Sequence, residues 1–199
     1  MSSFMEKMMV KADTMIDRLE LTEFKPDPIA GMAASRYASV IGSMQKRHGY
    51  YLEYGFRESL REHDYIVWTE NKFSFSEGHF CNVDALIFRP DRRILEAWEI
   101  KRGGDLDAPK AEKVAERIHA VQTNLKAYGA TKGFIVDAAK SYYLPYYVDD
   151  IAKVNVPLRP WLLLQNRLDE HFGFGMVAMI EDANAYFQTK FRSLVPDAQ

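Results

Sequence analysis

Asn82-Val83-Asp84-Ala85-Leu86-Ile87-Phe88 and, after a turn at residues 90–92, Ile94-Leu95-Glu96-Ala97-Trp98-Glu99-Ile100-Lys101 decide the fold of this chain. Both runs are rich in β-branched and aromatic residues, the composition of strands. Side chains alternate along a strand, so Glu99 and Lys101 share one face and Ile100 points the other way. The short turn makes the two runs antiparallel neighbours and brings Asp84 beside Glu99. Two adjacent carboxylates repel and are costly to bury without a cation. A divalent ion relieves that cost, and hard oxygen ligands suit Mg²⁺ or Mn²⁺. A lysine beside such an ion can orient or deprotonate a water and stabilise phosphate charge.

Upstream, residues 65–68 and 72–75 also read as strands, with a turn at Glu77-Gly78, so the block predicts an antiparallel meander. Residues 32–63 are helical in pattern, and Leu52, Phe56, Leu60 and His63 fall on one stripe. Downstream, Gly103-Gly104 ends the strands and a helix starts near Pro109. Its stripe is Val114, Ile118, Val121, Leu125 and Tyr128, with Gly129 as the stop. Residues 133–137 and 160–164 predict short buried strands, and 179–194 a final amphipathic helix. Residues 2–20 predict a first helix through Phe4, Met8, Met15 and Leu19, cut off by Pro26 and Pro28. The order helix, strands, helix, strand is an α/β pattern.

Composition sets the limits. No run of about eighteen apolar residues occurs, which excludes a membrane-spanning helix. The first ten residues lack the basic-then-apolar order of a signal peptide. Cys81 is the single cysteine and cannot form an internal disulfide, which predicts a cytoplasmic protein. A net charge of −2 excludes a wholly basic nucleic-acid binder but leaves room for a local basic patch.

Asp84, followed by Glu99-Ile100-Lys101 on the next strand, resembles the PD-(D/E)xK nuclease superfamily, over roughly residues 50–137. The same triplet pattern at Glu23-Phe24-Lys25 and Glu70-Asn71-Lys72 lacks the upstream aspartate on a strand. Val83 precedes Asp84 where the superfamily often has proline. The resemblance implies an α/β, restriction-endonuclease-like αβββαβ core with a mixed sheet flanked by helices and with helical extensions at both ends. It places a helical arm at 1–47, the core at 48–165 and a C-terminal extension packed on the core at 166–199. It implies Mg²⁺- or Mn²⁺-dependent hydrolysis of DNA phosphodiester bonds. Asp84, Glu99 and the backbone carbonyl of Ile100 would hold the metal, and Lys101 would serve the attacking water.

The superfamily often adds a glutamate from the first core helix. At about 100° per residue, Glu53 falls beside Leu60 on the buried stripe and Glu58 falls away from it. Glu53 is therefore the expected third acid. Members similar to the recombination-nuclease branch carry a glutamine and a tyrosine, usually about four apart, on the helix after the lysine; Gln122 carries over as a catalytic residue, and Tyr128, six residues on, departs from that spacing.

Charge is uneven along the chain. Between Arg89 and Lys132 there are ten lysines and arginines against seven acids. Arg102, Lys110, Lys113 and Arg117 are the expected phosphate contacts. The alternative is a solvated helix face, with Glu112 and Glu116 pairing locally. The competing function is a non-catalytic DNA- or protein-binding module on the same fold. The terminal helices offer surfaces for a homodimer or another protein. His79, His119 and His171 lack zinc-ligand spacing. Tyr142, Tyr143, Tyr146 and Tyr147, around Pro145, predict a packed loop or a partner surface, with base stacking as the alternative.

Overall fold

The computed structural model describes residues 2–18, 32–69, 71–76, 79–89, 93–103 and 106–194. The chain forms two compact units, Met1–Phe56 with Ala178–Gln199, and Arg57–Val177. These limits differ from the expected 47/48 and 165/166 boundaries: the last helix groups with the first two. The breaks predicted at Pro26 and Pro28 lie outside the described residues, as do the turns at Glu77-Gly78 and 90–92.

The first unit is helical. α1 (Ser3–Asp17) starts at Ser2, whose hydroxyl accepts the Met5 N–H at 3.3 Å. That satisfies one of the unpaired donors of a first helical turn. Phe4, Met8, Ala12 and Ile16 recur every four residues and are buried. α2 (Met32–Arg61) enters this unit through Met44, Tyr51, Leu52 and Phe56, all buried. α5 (Met176–Leu194) adds Ile180, Ala183 and Phe187. The Tyr51 hydroxyl donates 3.1 Å bonds to the carbonyls of Met8 and Ala183, so one side chain ties the three helices.

The second unit is mixed α/β, with a mixed four-stranded sheet flanked by helices. The strands are β1 (Ile66–Trp68), β2 (Asn71–Ser76), β3 (His79–Val83), β4 (Ala85–Phe88), β5 (Ile94–Lys101) and β6 (Ala138–Pro145). The sheet order is β1-β4-β5-β6, and β2 and β3 pair as a separate hairpin. β1, β4 and β5 are antiparallel; β5 and β6 are parallel, joined by α3 (Ala108–Thr131). A parallel pair needs such a crossover.

Alternation assigns the two faces. Leu86, Phe88, Leu95 and Ala97 pack with Val121 and Leu125 of α3. On the other face, Trp98 stacks on Tyr142 at 4.5 Å between ring centroids and lies 5.4 Å from Phe172 of α4 (Leu168–Phe172). Among the described residues, no helix is long and apolar enough to cross a membrane.

Several expected elements move. The strand from 83 to 88 is interrupted at Asp84. The strand expected at 133–137 is a turn and extended link, and the strand itself is β6. α3 runs past Gly129 to Thr131, and it is Gly133 that turns the chain, at φ +81°. Gly129 is kept small for another reason: a Cβ there would come within 2.5 Å of Val136 Cγ2. The strand expected at 160–164 is a 3-10 turn (Val156–Trp161) followed by one bridge, Leu162 to Tyr143. Pro157 and Pro160 lack the N–H a ladder needs. Tyr142 and Tyr143, expected in a packed loop, are buried strand residues of β6.

Candidate metal and phosphate site

α3 begins where Asp107 caps it, its Oδ1 accepting the Lys110 N–H at 3.0 Å, with Pro109 in the first turn. Its buried stripe of Ala111, Val114, Ile118, Val121 and Leu125 lays it along the sheet. The C-terminal end of β5 thereby lies under the first half of α3, with Glu99 buried and Lys101 half-buried.

Asp84 sits in the break between β3 and β4. Its N–H donates to the Trp98 carbonyl at 3.0 Å and its Oδ2 accepts the Ile100 N–H at 2.6 Å. Arg57 Nη1 donates to the Asp84 carbonyl at 3.1 Å. A side-chain carboxylate thus replaces a ladder carbonyl, which only a short acceptor side chain can do at this point.

Lys101 Nζ lies 2.8 Å from Glu99 Oε1, 3.2 Å from the Ile100 carbonyl and 3.5 Å from Asp84 Oδ2. Arg117 Nη2, on α3, donates to the same Glu99 Oε1 at 2.9 Å. Burial raises the Asp84 carboxyl above its ordinary range, and the neighbouring Glu99 charge raises it further; Lys101 and the Ile100 N–H oppose the shift. That is the behaviour of two acids sharing one site.

Tyr143 pairs with Glu99 in the β5–β6 register. Its hydroxyl is buried and has no hydrogen-bond partner among the described residues. Burial pushes it up to about 12, so it remains a neutral donor.

A groove of about 640 Å³ runs beside this cluster. Lys101, Lys110, Lys113 and Arg117 line it, with Leu106, Val114 and one acid, Glu116. Lys110 is exposed and ion-paired to Asp107 Oδ2 at 2.5 Å. Arg102 is exposed. Of the four expected phosphate contacts, three line the groove, and Arg117 also holds Glu99.

No known protein family, curated protein or solved structure matches this chain.

Asp84, Glu99 and the Ile100 carbonyl form a hard-oxygen donor set of the kind that suits Mg²⁺ or Mn²⁺. The hydrogen bonds and ion pairs described for the two carboxylates fall on Asp84 Oδ2 and Glu99 Oε1, so Oδ1 and Oε2 are the oxygens an ion would meet first. Among the described residues, no three His, Cys, Asp or Glu side chains gather at one point. The residues present fit an ion that keeps several waters and takes one or two carboxylates plus substrate phosphate, as Mg²⁺ commonly does.

Glu53, the expected third acid, belongs to the helical unit and is half-buried there. Glu58, expected to point away from the core, is buried and pairs with Arg61, which also donates to the Val67 carbonyl at 3.2 Å. The helical wheel fixes a direction only; the chain folding back through β1 covers that side.

Gln122 is engaged elsewhere. Its Nε2 donates to the Ala139 carbonyl at 2.9 Å and its Oε1 accepts the Ser141 N–H at 2.5 Å. Both groups lie on the open edge of β6, so Gln122 closes that edge. Further along the same edge, the Tyr143 carbonyl accepts the Leu163 N–H at 3.0 Å.

A second charged cluster, absent from the sequence reading, lies on the opposite face. Glu96 is buried and accepts from Arg89 Nε at 3.0 Å, Arg89 Nη2 at 2.8 Å and Trp98 Nε1 at 3.1 Å. His171 Nε2 lies 3.1 Å from its Oε2. The one available signal was its period-two spacing with Trp98, which puts an acid on a core face.

Proposed function

We propose that this protein is a Mg²⁺- or Mn²⁺-dependent deoxyribonuclease. One observation carries the reading: Lys101 Nζ is surrounded by Asp84 Oδ2, Glu99 Oε1 and the Ile100 carbonyl, a cation already held by three oxygen sources that suit a metal. The order α2, β1, β4, β5, α3, β6, with β6 parallel to β5, supports a restriction-endonuclease-like core. The groove lined by Lys101, Lys110, Lys113 and Arg117 supports a phosphate backbone as ligand.

In this reading Asp84, Glu99 and the Ile100 carbonyl hold the ion. The ion, when bound, lowers the pKa of a water and neutralises charge on the phosphate. Lys101 stays beside the carboxylates and orients the attacking water. That water gives up a proton to solvent as it adds to phosphorus, one P–O bond breaks, and the departing oxygen takes a proton back from solvent. Lys110, Lys113 and Arg102 contact flanking phosphates.

The competing reading is a non-catalytic DNA-binding module. It is favoured by the two cations that already neutralise Glu99, which allow the acid pair to exist without an ion.

Purified protein incubated with linear, nicked and circular DNA in Mg²⁺ or Mn²⁺ separates them. The nuclease reading expects cleavage that drops at least about 100-fold in Lys101→Ala. Equal cleavage by wild type and Lys101→Ala overturns it. Retarded but intact DNA points to the binding module.

A further inference from the structure

Glu99 carries two cations on one oxygen, Lys101 Nζ at 2.8 Å and Arg117 Nη2 at 2.9 Å. With Asp84 as the second acid and Arg57 on the Asp84 carbonyl, the cations around the two carboxylates already match or exceed them in charge. A divalent ion ligated by both carboxylates would overcharge it, because a like charge within about 4–6 Å opposes binding. One cation must move away. Lys101 is attached to β5 itself and bonds the Ile100 carbonyl at 3.2 Å. Arg117 has the alternative: where Lys101 is held by Glu99, Asp84 and the Ile100 carbonyl, the described ion pair of Arg117 is with Glu99, and its side chain is 37% exposed and lines the groove that Lys110 and Lys113 share. Its planar fork suits a carboxylate and a phosphate equally.

We propose that Arg117 is an exchangeable counter-ion. It holds the Glu99 carboxylate when no metal is bound and turns into the groove when a divalent ion enters, where it meets a backbone phosphate of the substrate. This rests on the nuclease reading and adds a coupling to it. Metal and phosphate each favour the same Arg117 position, so each strengthens binding of the other. Arg117 is on this account a positioning residue for the ion and a contact for the substrate.

The test is Mn²⁺ titration by calorimetry on the full chain, with no DNA present. Removing the competing charge in Arg117→Ala and Arg117→Gln tightens Mn²⁺ binding about five-fold. Arg117→Lys, which keeps the charge, stays near wild type. Lys126→Ala, an α3 cation outside the groove, leaves the affinity unchanged. In Ca²⁺, the Ala and Gln variants bind linear DNA about ten-fold more weakly. Arg117→Gln preserves bulk and a donor, so it supplies the result if the Ala variant does not fold. Mn²⁺ affinity that is unchanged or weaker in folded Arg117→Gln overturns the inference and leaves the nuclease reading standing, provided wild type binds Mn²⁺ and cleaves DNA. Wild type that takes up no Mn²⁺ overturns both.

Discussion

Asp84 grips β5 on both sides of Glu99: its N–H reaches the Trp98 carbonyl at 3.0 Å and its Oδ2 takes the Ile100 N–H at 2.6 Å. The aspartate is therefore structural as well as chemical, and the two roles separate by substitution. Asp84→Asn keeps an oxygen for the Ile100 N–H and removes the repulsion with Glu99. It should melt within a few degrees of wild type and lose Mn²⁺ affinity by at least about ten-fold. Asp84→Ala leaves the Ile100 N–H without its acceptor and should lose about 1–3 kcal/mol in denaturant unfolding. Equal destabilisation by both variants would contradict this division.

Gln122 gives the opposite separation. Its amide makes two bonds to the β6 edge, at Ala139 and Ser141. Gln122→Ala should lower stability by about 1–2 kcal/mol and leave Mn²⁺ affinity unaltered. Urea unfolding and calorimetry of the same preparation check both halves. A large fall in cleavage with unchanged stability would restore the catalytic role expected from sequence.

Gly129 tests packing. In an exposed helix, glycine to alanine gains about 1 kcal/mol. Here the new Cβ meets Val136 Cγ2 at 2.5 Å and Leu95 Cδ2 at 3.0 Å. Branched valine yields little, and overpacking costs typically about 1–3 kcal/mol. Gly129→Ala should therefore be destabilising, read as a lower urea midpoint. A stabilised variant would show that the 134–136 link moves aside.

Glu96 sets an acid limit. Burial alone would raise its carboxyl, but the His171 hydrogen bond and the charges of His171 and Arg89 outweigh burial and hold it below the ordinary range. A depressed native value means that the group's contribution is complete above the ordinary glutamate value, about 4.3, and is lost as pH falls through the native one. Unfolding free energy should decline below about pH 4, and the decline should shrink in Glu96→Gln. That variant also loses stability at neutral pH, because Arg89 keeps its charge without its partner. An identical acid slope in both proteins would remove Glu96 from the explanation.

Much of the second unit was legible because its signals are local. The runs at 82–88 and 94–101 are rich in β-branched and aromatic residues, and Pro109 announces a helix start. Short links leave few ways to pair the strands, and α3 makes β6 parallel to β5. The misplaced strands at 133–137 and 160–164 failed for a related reason. Short apolar runs carry no period of their own, and Gly133 and Pro160 act through backbone geometry set by their neighbours.

Alternation and a short turn were enough, from sequence alone, to place Asp84, Glu99 and Lys101 together, because a strand's side-chain directions are intrinsic to its backbone. Only the tertiary structure decided what each charge faces. It put Arg117 of α3 on Glu99, turned Gln122 to the β6 edge, and buried Glu58 and Glu96 with arginine partners. Those partners come from elements that meet by packing, and the energy of a buried charge depends on the few ångströms around it, which no periodicity in the chain encodes.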